Sequence, residues 1–403
     1  MAWFSLSAVY RIALALSPSL FVAPLPALIG PARAQDIPDI KVVRIATGPT
    51  DSTEFPFGGL IGNAISNPPG SRPCDRGGSC GVPGLIATAQ TTGGALDNLR
   101  AVARGDIELG LSNADIAQWA YKASAEFEGQ EPLNRLRLIA RLYPSTLHLI
   151  VPKESKIAAL EDLNGKTVAV DGEGTGTRFM ARVVMAAFGV RWDAIKTQPL
   201  DLTAAPAAFK AGAIDAMLIT GGAPVLALTD LAREAPFRLV PIDGPAADKL
   251  AQVLPYYVRD AVPAGTYGDA AEAATLAVGA VLVARDDLSD DLAYGIARAI
   301  WHDRNKALFA AGHARGKLMD LQSAVRGPDV PLHPGAARFY AEQNVIPPLP
   351  PAPSADPAVA PEVPSDPKSD KPATPATMGA ASGTTTGSAT RSLFDAARSA
   401  AGL

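Results

Sequence analysis

The chain has 403 residues, 48% hydrophobic and 19% charged, a composition that builds a core and excludes a fully solvated, disordered polymer. With Arg11 and Arg33 of the leading segment set aside, 34 basic residues face 40 acidic ones. The resulting net charge of −6 argues against the concentrated basic surface that nucleic-acid binding needs.

Residues 1–34 read as a secretory signal: Arg11 near the start, an apolar run from Ile12 to Ile29, and Ala32-Arg33-Ala34 as a small-x-small cleavage site. The mature chain is then expected to begin at Gln35 in the periplasm. Beyond it no uninterrupted apolar run reaches the roughly 18 residues that span a bilayer. From Pro347 onward the composition turns to Pro, Ala, Ser, Thr and Gly, with 11 prolines between residues 347 and 378. Such a tail, 347–403, buries too little apolar surface to fold and is expected to be extended, with LFDAARSAAGL helical only against a partner.

Between these ends, KVVRIATG (41–48) is a short β-branched run ending at Gly48, and FGGLIGNAISN (57–67) has apolar residues at helical spacing. The unit recurs from residue 85 as strand, Thr-Thr-Gly-Gly loop, helix, strand, loop and helix. LRLIARLYPSTLHLIVPKES (136–155) is a long strand-like stretch interrupted by Pro144, read as a crossing into a second unit. KTVAVDGEGTGTRFMARVVMAAFG restarts the pattern, TAAPAAFKAGAIDAMLITGGAP adds a helix and a strand, and FRLVPID (237–243) supplies another strand. PYYVRDAVPAGTYG (255–268) brings the chain back. A last strand precedes an amphipathic helix starting near Ser289, where Asp290 and Asp291 complement the helix dipole. The alternation predicts an α/β fold of two lobes, with parallel or mixed sheets and flanking helices around a central cleft. Lobe I is expected at 35–145 plus 262–346 and lobe II at 146–261.

Cys74 and Cys80 lie in the Gly/Pro-rich loop NPPGSRPCDRGGSCGVPG, and an oxidising compartment favours a disulfide between them. All four histidines are far away in sequence, so no metal site is expected.

Four loops share one design, a strand running out into Gly, Ser, Thr or Asn with a helix at once after it: TGPTDSTEFPFGG (47–59), TTGGALDN (91–98), SNADIAQ (112–118) and DGEGTGTRF (171–179). Each either caps its helix or presents unpaired N–H groups and the positive helix end to an anion; four together favour a carboxylate ligand. Gly172, Gly174 and Gly176 do not make a dinucleotide fingerprint, because Thr177 stands where its third Gly belongs, and no cofactor is expected. No nucleophile elbow or metalloprotease helix appears. His148 and His302 read as packing residues, and His333, in PLHPGA, as a surface residue in a turn.

In order along residues 41–346, the strings TGPTDSTEFPFGG, ISNPPGSRPCDRGGSCGVPGL, GGALDNL, RLYPSTLHLIV, DLNGKTVAVDGEGTGT, PIDG, VPAGTYG, GHARGKL and VPLHPGAARFY make a chain that resembles the TAXI-type solute-binding receptors of TRAP (tripartite ATP-independent periplasmic) transporters. The resemblance implies the type II fold of periplasmic binding proteins, a monomer, and a non-enzymatic receptor. Such a receptor closes over a small organic acid or amino acid, glutamate or a dicarboxylate by default, and delivers it to a sodium-driven permease in the membrane. The chain departs from that family at Ser52, Thr53 and Glu54, where Gly-Thr-Tyr or Gly-Thr-Phe is usual, at Asn113, Ala114 and Asp115 in place of Gln-Ser-Asp, and at Ala223 in Gly221-Gly222-Ala223-Pro224, where a tyrosine is usual. An anion at Glu54 and the lost aromatic at Ala223 would disfavour a second ligand carboxylate and favour a cationic or polyhydroxylated group. A buried Glu54 needs a cationic partner or else faces solvent.

Loop chemistry and family position together nominate Thr50, Ser52, Thr53 and Glu54 from the first loop, Thr92, Gly93 and Gly94 from the second, and Asn113 from the third. Thr175, Gly176 and Thr177 would close from the other lobe, with Gly222 from the later Gly-Gly motif; Arg178 adds charge there or is solvated. Two rival functions share the fold: a sensory receptor for a membrane kinase, and a periplasmic enzyme, which would need an acid/base pair in the cleft.

Overall fold

The computed structural model describes residues 40–349; the expected signal segment and the tail from residue 350 lie outside the described residues. Strand β1 (Lys41–Ala46) leads into helix α1 (Glu54–Ile65), and a two-residue strand β2 (Ser66–Asn67) pairs with β3 (Val82–Pro83) across the cysteine loop. Then follow β4 (Leu85–Gln90), α2 (Ala95–Arg104), β5 (Leu109–Asn113), α3 (Ala114–Lys122) and the 17-residue β6 (Leu136–Pro152). The middle of the chain gives β7 (Thr167–Val170), α4 (Gly176–Ala187), β8 (Lys196–Gln198), α5 (Ala204–Lys210), β9 (Ala216–Gly221), α6 (Leu226–Glu234) and β10 (Phe237–Leu239). The last stretch is α7 (Pro245–Val253), β11 (Tyr257–Val262), β12 (Ala273–Arg285), α8 (Asp290–Ile300), α9 (Asp303–Gly312) and α10 (Pro334–Glu342).

The fold is mixed α/β. Ten strands form one sheet in the order β4-β1-β5-β12-β6-β9-β7-β8, with β10 on β6 and β11 on β12. The sheets expected of two lobes are thus joined through β6 and β12. At about 3.3 Å per residue β6 is about 55 Å long, long enough to serve two sub-sheets at its two ends. Parallel β4, β1 and β5 join one end through β12, with Asn113 at the close of β5 opposite Ala280. From the opposite direction β9 joins the other end of β6, its last residue Gly221 opposite Thr146, and β7 and β8 run parallel to β9. Residues Pro144 and Gly279 face each other between these levels. The C-terminal ends of β5 and β9 therefore point at each other across the middle of the long strands, and the helix N-termini that follow converge there.

Pro144 does not interrupt β6 as its ring suggests. It sits opposite Gly279 at a register shift in the β6–β12 ladder, a place where a missing N–H is tolerated. Strand β12 is buried on both faces, which is why AATLAVGAVLVAR reads as a continuous apolar run. Its Val281 and Val283 join the core under α2, α3 and α4, while Ala280, Leu282 and Ala284 join the core under α1, α8 and α10. A third core, centred on Met217, Ile219, Phe237 and Tyr267, packs α5 and α6 against β9 and β10. Helix α8 starts as its sequence predicts, with the Ser289 hydroxyl accepting from Leu292 N at 3.4 Å. Trp301 donates to the Tyr340 hydroxyl, which donates to Ile139 O, both at 2.9 Å, tying α10 to β6. Among the described residues no helix is long and apolar enough to cross a membrane.

His333 corrects the expectation of a surface residue: it is fully buried. Its Pro-Gly neighbours open α10 rather than a free turn, and Nδ1 accepts from Gly335 N at 3.3 Å as the helix cap. Cys74 and Cys80 are joined in a disulfide. His302 Nε2 lies 3.7 Å from Cys74 Sγ, and this His/Cys cluster has no free thiolate with which to hold a metal. Chain entropy for so short a loop predicts that a Cys74→Ser, Cys80→Ser variant unfolds in urea with about 2 kcal/mol less stability than the parent. An unchanged midpoint would show that the loop is already ordered by Ser79, whose hydroxyl donates to Ser66 O.

Candidate functional site

The convergence of helix N-termini builds one cavity. Thr47, at the end of β1, anchors its floor: its hydroxyl donates to Gln90 O at 2.7 Å, and its carbonyl accepts from Asn98 Nδ2 at 2.5 Å. Asn98 is fully buried on α2 and also donates to Leu111 O at 2.7 Å, so one amide ties β1, β5 and α2 together. Thr92 serves the same knot, its hydroxyl donating to Asn98 Oδ1 at 2.6 Å. Across the cavity, Thr175 caps α4, accepting from Arg178 N and donating to Gly172 O at 2.8 Å. Thr177 accepts from Thr220 N at 2.9 Å, which fixes α4 against β9.

The enclosed space is about 60 Å³, room for about four waters. From β1 and its loop it is lined by Thr47, Gly48, Pro49, Ser52 and Glu54; from the second and third loops by Gly93, Gly94, Ala95, Leu111, Ser112 and Asn113. The opposite wall is Asp171, Thr175, Gly176, Thr177, Leu202 and Thr220. Of the nominated residues, Ser52, Glu54, Gly93, Gly94, Asn113, Thr175, Gly176 and Thr177 thus come together, and Thr50, Thr53, Thr92 and Gly222 do not line the cavity. Thr50 is exposed on the loop. Thr53 donates to Gly222 O at 3.2 Å, and a Cβ on Gly222 would meet Thr53 Cγ2 at 2.8 Å and Arg315 Cγ at 3.0 Å, so both residues clamp the two sides together. Two further contacts cross the same gap: Leu96 N donates to Gly174 O at 3.2 Å, and the Thr203 hydroxyl donates to Asp51 Oδ2 at 3.0 Å.

Two glycines are dictated by this closeness. A Cβ on Gly176 would sit 2.6 Å from Asn113 Oδ1, so only glycine lets the third loop touch the start of α4. Gly94 holds a φ of +123°, a conformation L side chains rarely adopt.

The wall is acidic. No residue lining the cavity is basic. Arg178 is neither in the cavity nor solvated: it pairs with Glu173 at 2.6 Å and stacks on Trp192. Glu54 likewise departs from both readings offered by the sequence, since it is half-buried on the cavity wall without a cationic partner among the described residues. Burial holds its carboxyl above the ordinary range, with the charge of Asp171 adding to the effect. Burial also raises Asp171, aided by Asp201 and Asp51 and opposed by the bond from Gly172 N. Ser52 Oγ and Asn113 Nδ2 are buried polar atoms with no partner in the protein. Leaving such an atom unpaired costs about 1–3 kcal/mol, which a ligand reaching it would offset.

Sequence reasoning missed Asp171, Thr47 and Asn98. Asp171 opens the glycine-rich loop after β7, and its place at a strand end was the available signal. Asn98 shows as a polar residue on the apolar face of α2.

In shape the chain is similar to three ligand-binding proteins of known structure. The periplasmic aliphatic sulphonate-binding protein of Escherichia coli shares 14% identity at a TM-score of 0.38, over 68% of this chain and 78% of that one. The alkanesulfonate-binding protein of Xanthomonas axonopodis pv. citri, bound to MOPS, shares 16% at 0.40, over 75% and 84%. The ligand-binding component of an ABC-type import system from Staphylococcus aureus, with zinc bound, shares 9% at 0.43, over 75% and 92%. The sequence itself matches a family along most of the described residues, from 45 to 343: the chain belongs to the NMT1-like family.

Proposed function

We propose that the chain is an extracytoplasmic solute receptor, which encloses a small organic ligand between two lobes and hands it to a membrane permease. The observation that carries this reading is the single cavity walled by strand-to-helix loops arriving from opposite ends of β6. Lobe I (35–145 plus 262–346) and lobe II (146–261) would separate by bending near Tyr143–Thr146, breaking the contacts Thr53–Gly222, Leu96–Gly174 and Asp51–Thr203. Ligand would favour the closed state by contacting both walls at once. The resemblance to TAXI-type receptors supports a sodium-driven TRAP permease as the partner, and the leading 34 residues support export to the periplasm.

Thermal denaturation of the purified chain against amino acids, dicarboxylates, keto acids, polyols and amines tests the receptor. One class is expected to raise the midpoint saturably, by an amount equivalent to about 2.7 kcal/mol at a hundredfold excess over Kd. Chemical turnover of the stabilising compound would overturn the receptor reading in favour of an enzyme that uses Glu54 and Asp171 as an acid/base pair.

A further inference from the structure

Resting on the receptor reading, we infer that the ligand is a small zwitterion, an amino acid with one carboxylate and one ammonium group, rather than a dicarboxylate. Glu54 and Asp171 accept from the ammonium; Asn113 Nδ2 and the helix ends of α2 and α4 take the carboxylate.

Four observations carry this assignment. The cavity wall holds two carboxylates and no basic side chain, so a positive group has acceptors there and a second negative group has none. Asn113 is 6% exposed and Ser52 7% exposed, both lie on the wall, and their Nδ2 and Oγ atoms are unpartnered. An unpaired amide N–H is a donor, which matches a carboxylate oxygen and not an ammonium. That donor sits beside Gly176, at the start of the 12-residue helix α4, where free N–H groups and the positive helix end also favour an anion. Gly93 and Gly94 bring the start of α2 to the same space. Finally, a cavity of about 60 Å³ has room for a handful of heavy atoms only. The negative wall and the donor wall are therefore both present, and their charges match the two ends of one small molecule.

The Thr175 and Thr177 hydroxyls, nominated as a carboxylate cradle, are engaged with Gly172 O and Thr220 N. Their part is to hold the start of α4 in place. Asn113 and the backbone are the groups left over to bind.

The test uses the purified full chain and titration calorimetry with matched probes: L-alanine and β-alanine, L-lactate and 3-hydroxypropanoate, succinate and L-malate, and ethylamine. Each amino acid is expected to bind at least about tenfold more tightly than its hydroxy analogue, either dicarboxylate, or ethylamine. Glu54→Gln and Asp171→Asn are each expected to weaken the amino acid by about 10- to 100-fold while the circular dichroism and unfolding midpoint of the free protein stay unchanged. In parallel, the native protein is denatured and the released small molecule identified by mass spectrometry; an amino-monocarboxylate supports the assignment. A dicarboxylate or hydroxy acid as the preferred probe or the released molecule overturns the zwitterion and leaves the receptor standing. Unchanged affinity in both variants also overturns it. No released molecule together with no binding of any probe overturns the receptor reading itself.

Discussion

Replacing Arg315 with methionine is expected to lower the unfolding free energy by about 3–5 kcal/mol, one of the two largest effects of a single change in this protein. Arg315 sits on the short turn Ala314–Leu318, its side chain 4% exposed, and its Nη1 donates to both oxygens of Asp260 on β11, at 2.9 and 3.2 Å. The Asp260 carboxylate, 15% exposed, has one other side-chain partner, the Thr146 hydroxyl on β6. Removing the guanidinium leaves a charge in a low-dielectric site with a single neutral donor. Part of the arginine's own potential is unused, since Nη2 is unpartnered beside the equally unpartnered hydroxyls of Tyr143 and Ser145. The pair is therefore costly to break and cheap to replace as a whole. Arg315→Met combined with Asp260→Leu is expected to recover most of the loss, and urea denaturation of the two single variants and the double one measures the coupling. A loss below about 1 kcal/mol in Arg315→Met would mean that water already solvates the pair, as at a surface ion pair.

The pair also marks the border of what the sequence discloses. Strand β12, helix α8 with its Ser289 cap, and the four polar loops were legible because each is written in a local signal: a buried apolar run, an N-cap with acidic residues after it, a strand ending in glycine or threonine. The disulfide was legible from compartment and spacing. Pro144 was not, because whether a proline breaks a strand depends on the residue opposite, and Gly279 lies 135 positions away. Arg315 and Asp260 are 55 positions apart and belong to no periodic pattern. In the cavity, the hydroxyls of Thr53, Thr92, Thr175 and Thr177 looked like ligand donors by type, yet each is engaged within the fold. The groups left unpaired, Ser52 Oγ and Asn113 Nδ2, differ from them only in three-dimensional neighbourhood. Asp171 reaches the wall because β7 pairs beside β9, a long-range register that no single loop encodes.

Asp115→Asn is expected to make stability depend strongly on acid. Asp115 is fully buried in the first turn of α3, where Oδ1 accepts from Ile116 N at 2.8 Å and Oδ2 from the Tyr257 hydroxyl at 2.6 Å. Burial outweighs those bonds and raises its pKa from 3.8 to about 6. Between those values the native chain holds a proton that the unfolded chain has lost, so stability rises as pH falls through the window, by about 3 kcal/mol in all. His148 acts in the opposite sense. Its Nε2 accepts from the Tyr267 hydroxyl at 3.0 Å, while that oxygen accepts from Val225 N. Its Nδ1 donates to Thr146 O at 3.0 Å. The neutral ring is fully satisfied, and burial lowers the pKa from 6.5 to about 4. The unfolded histidine takes up a proton below 6.5 that the native one refuses, so stability falls by about 3 kcal/mol as pH drops toward 4. In the parent chain the two terms run against each other over nearly the same window and largely cancel. The asparagine keeps the shape of Asp115 and removes its titration, which leaves the histidine unopposed. Denaturation at pH 7 and pH 4 should therefore show the difference between parent and variant growing by about 3 kcal/mol in the parent's favour. A difference that stays constant would place the Asp115 proton elsewhere, because a purely steric effect of the substitution does not change with pH.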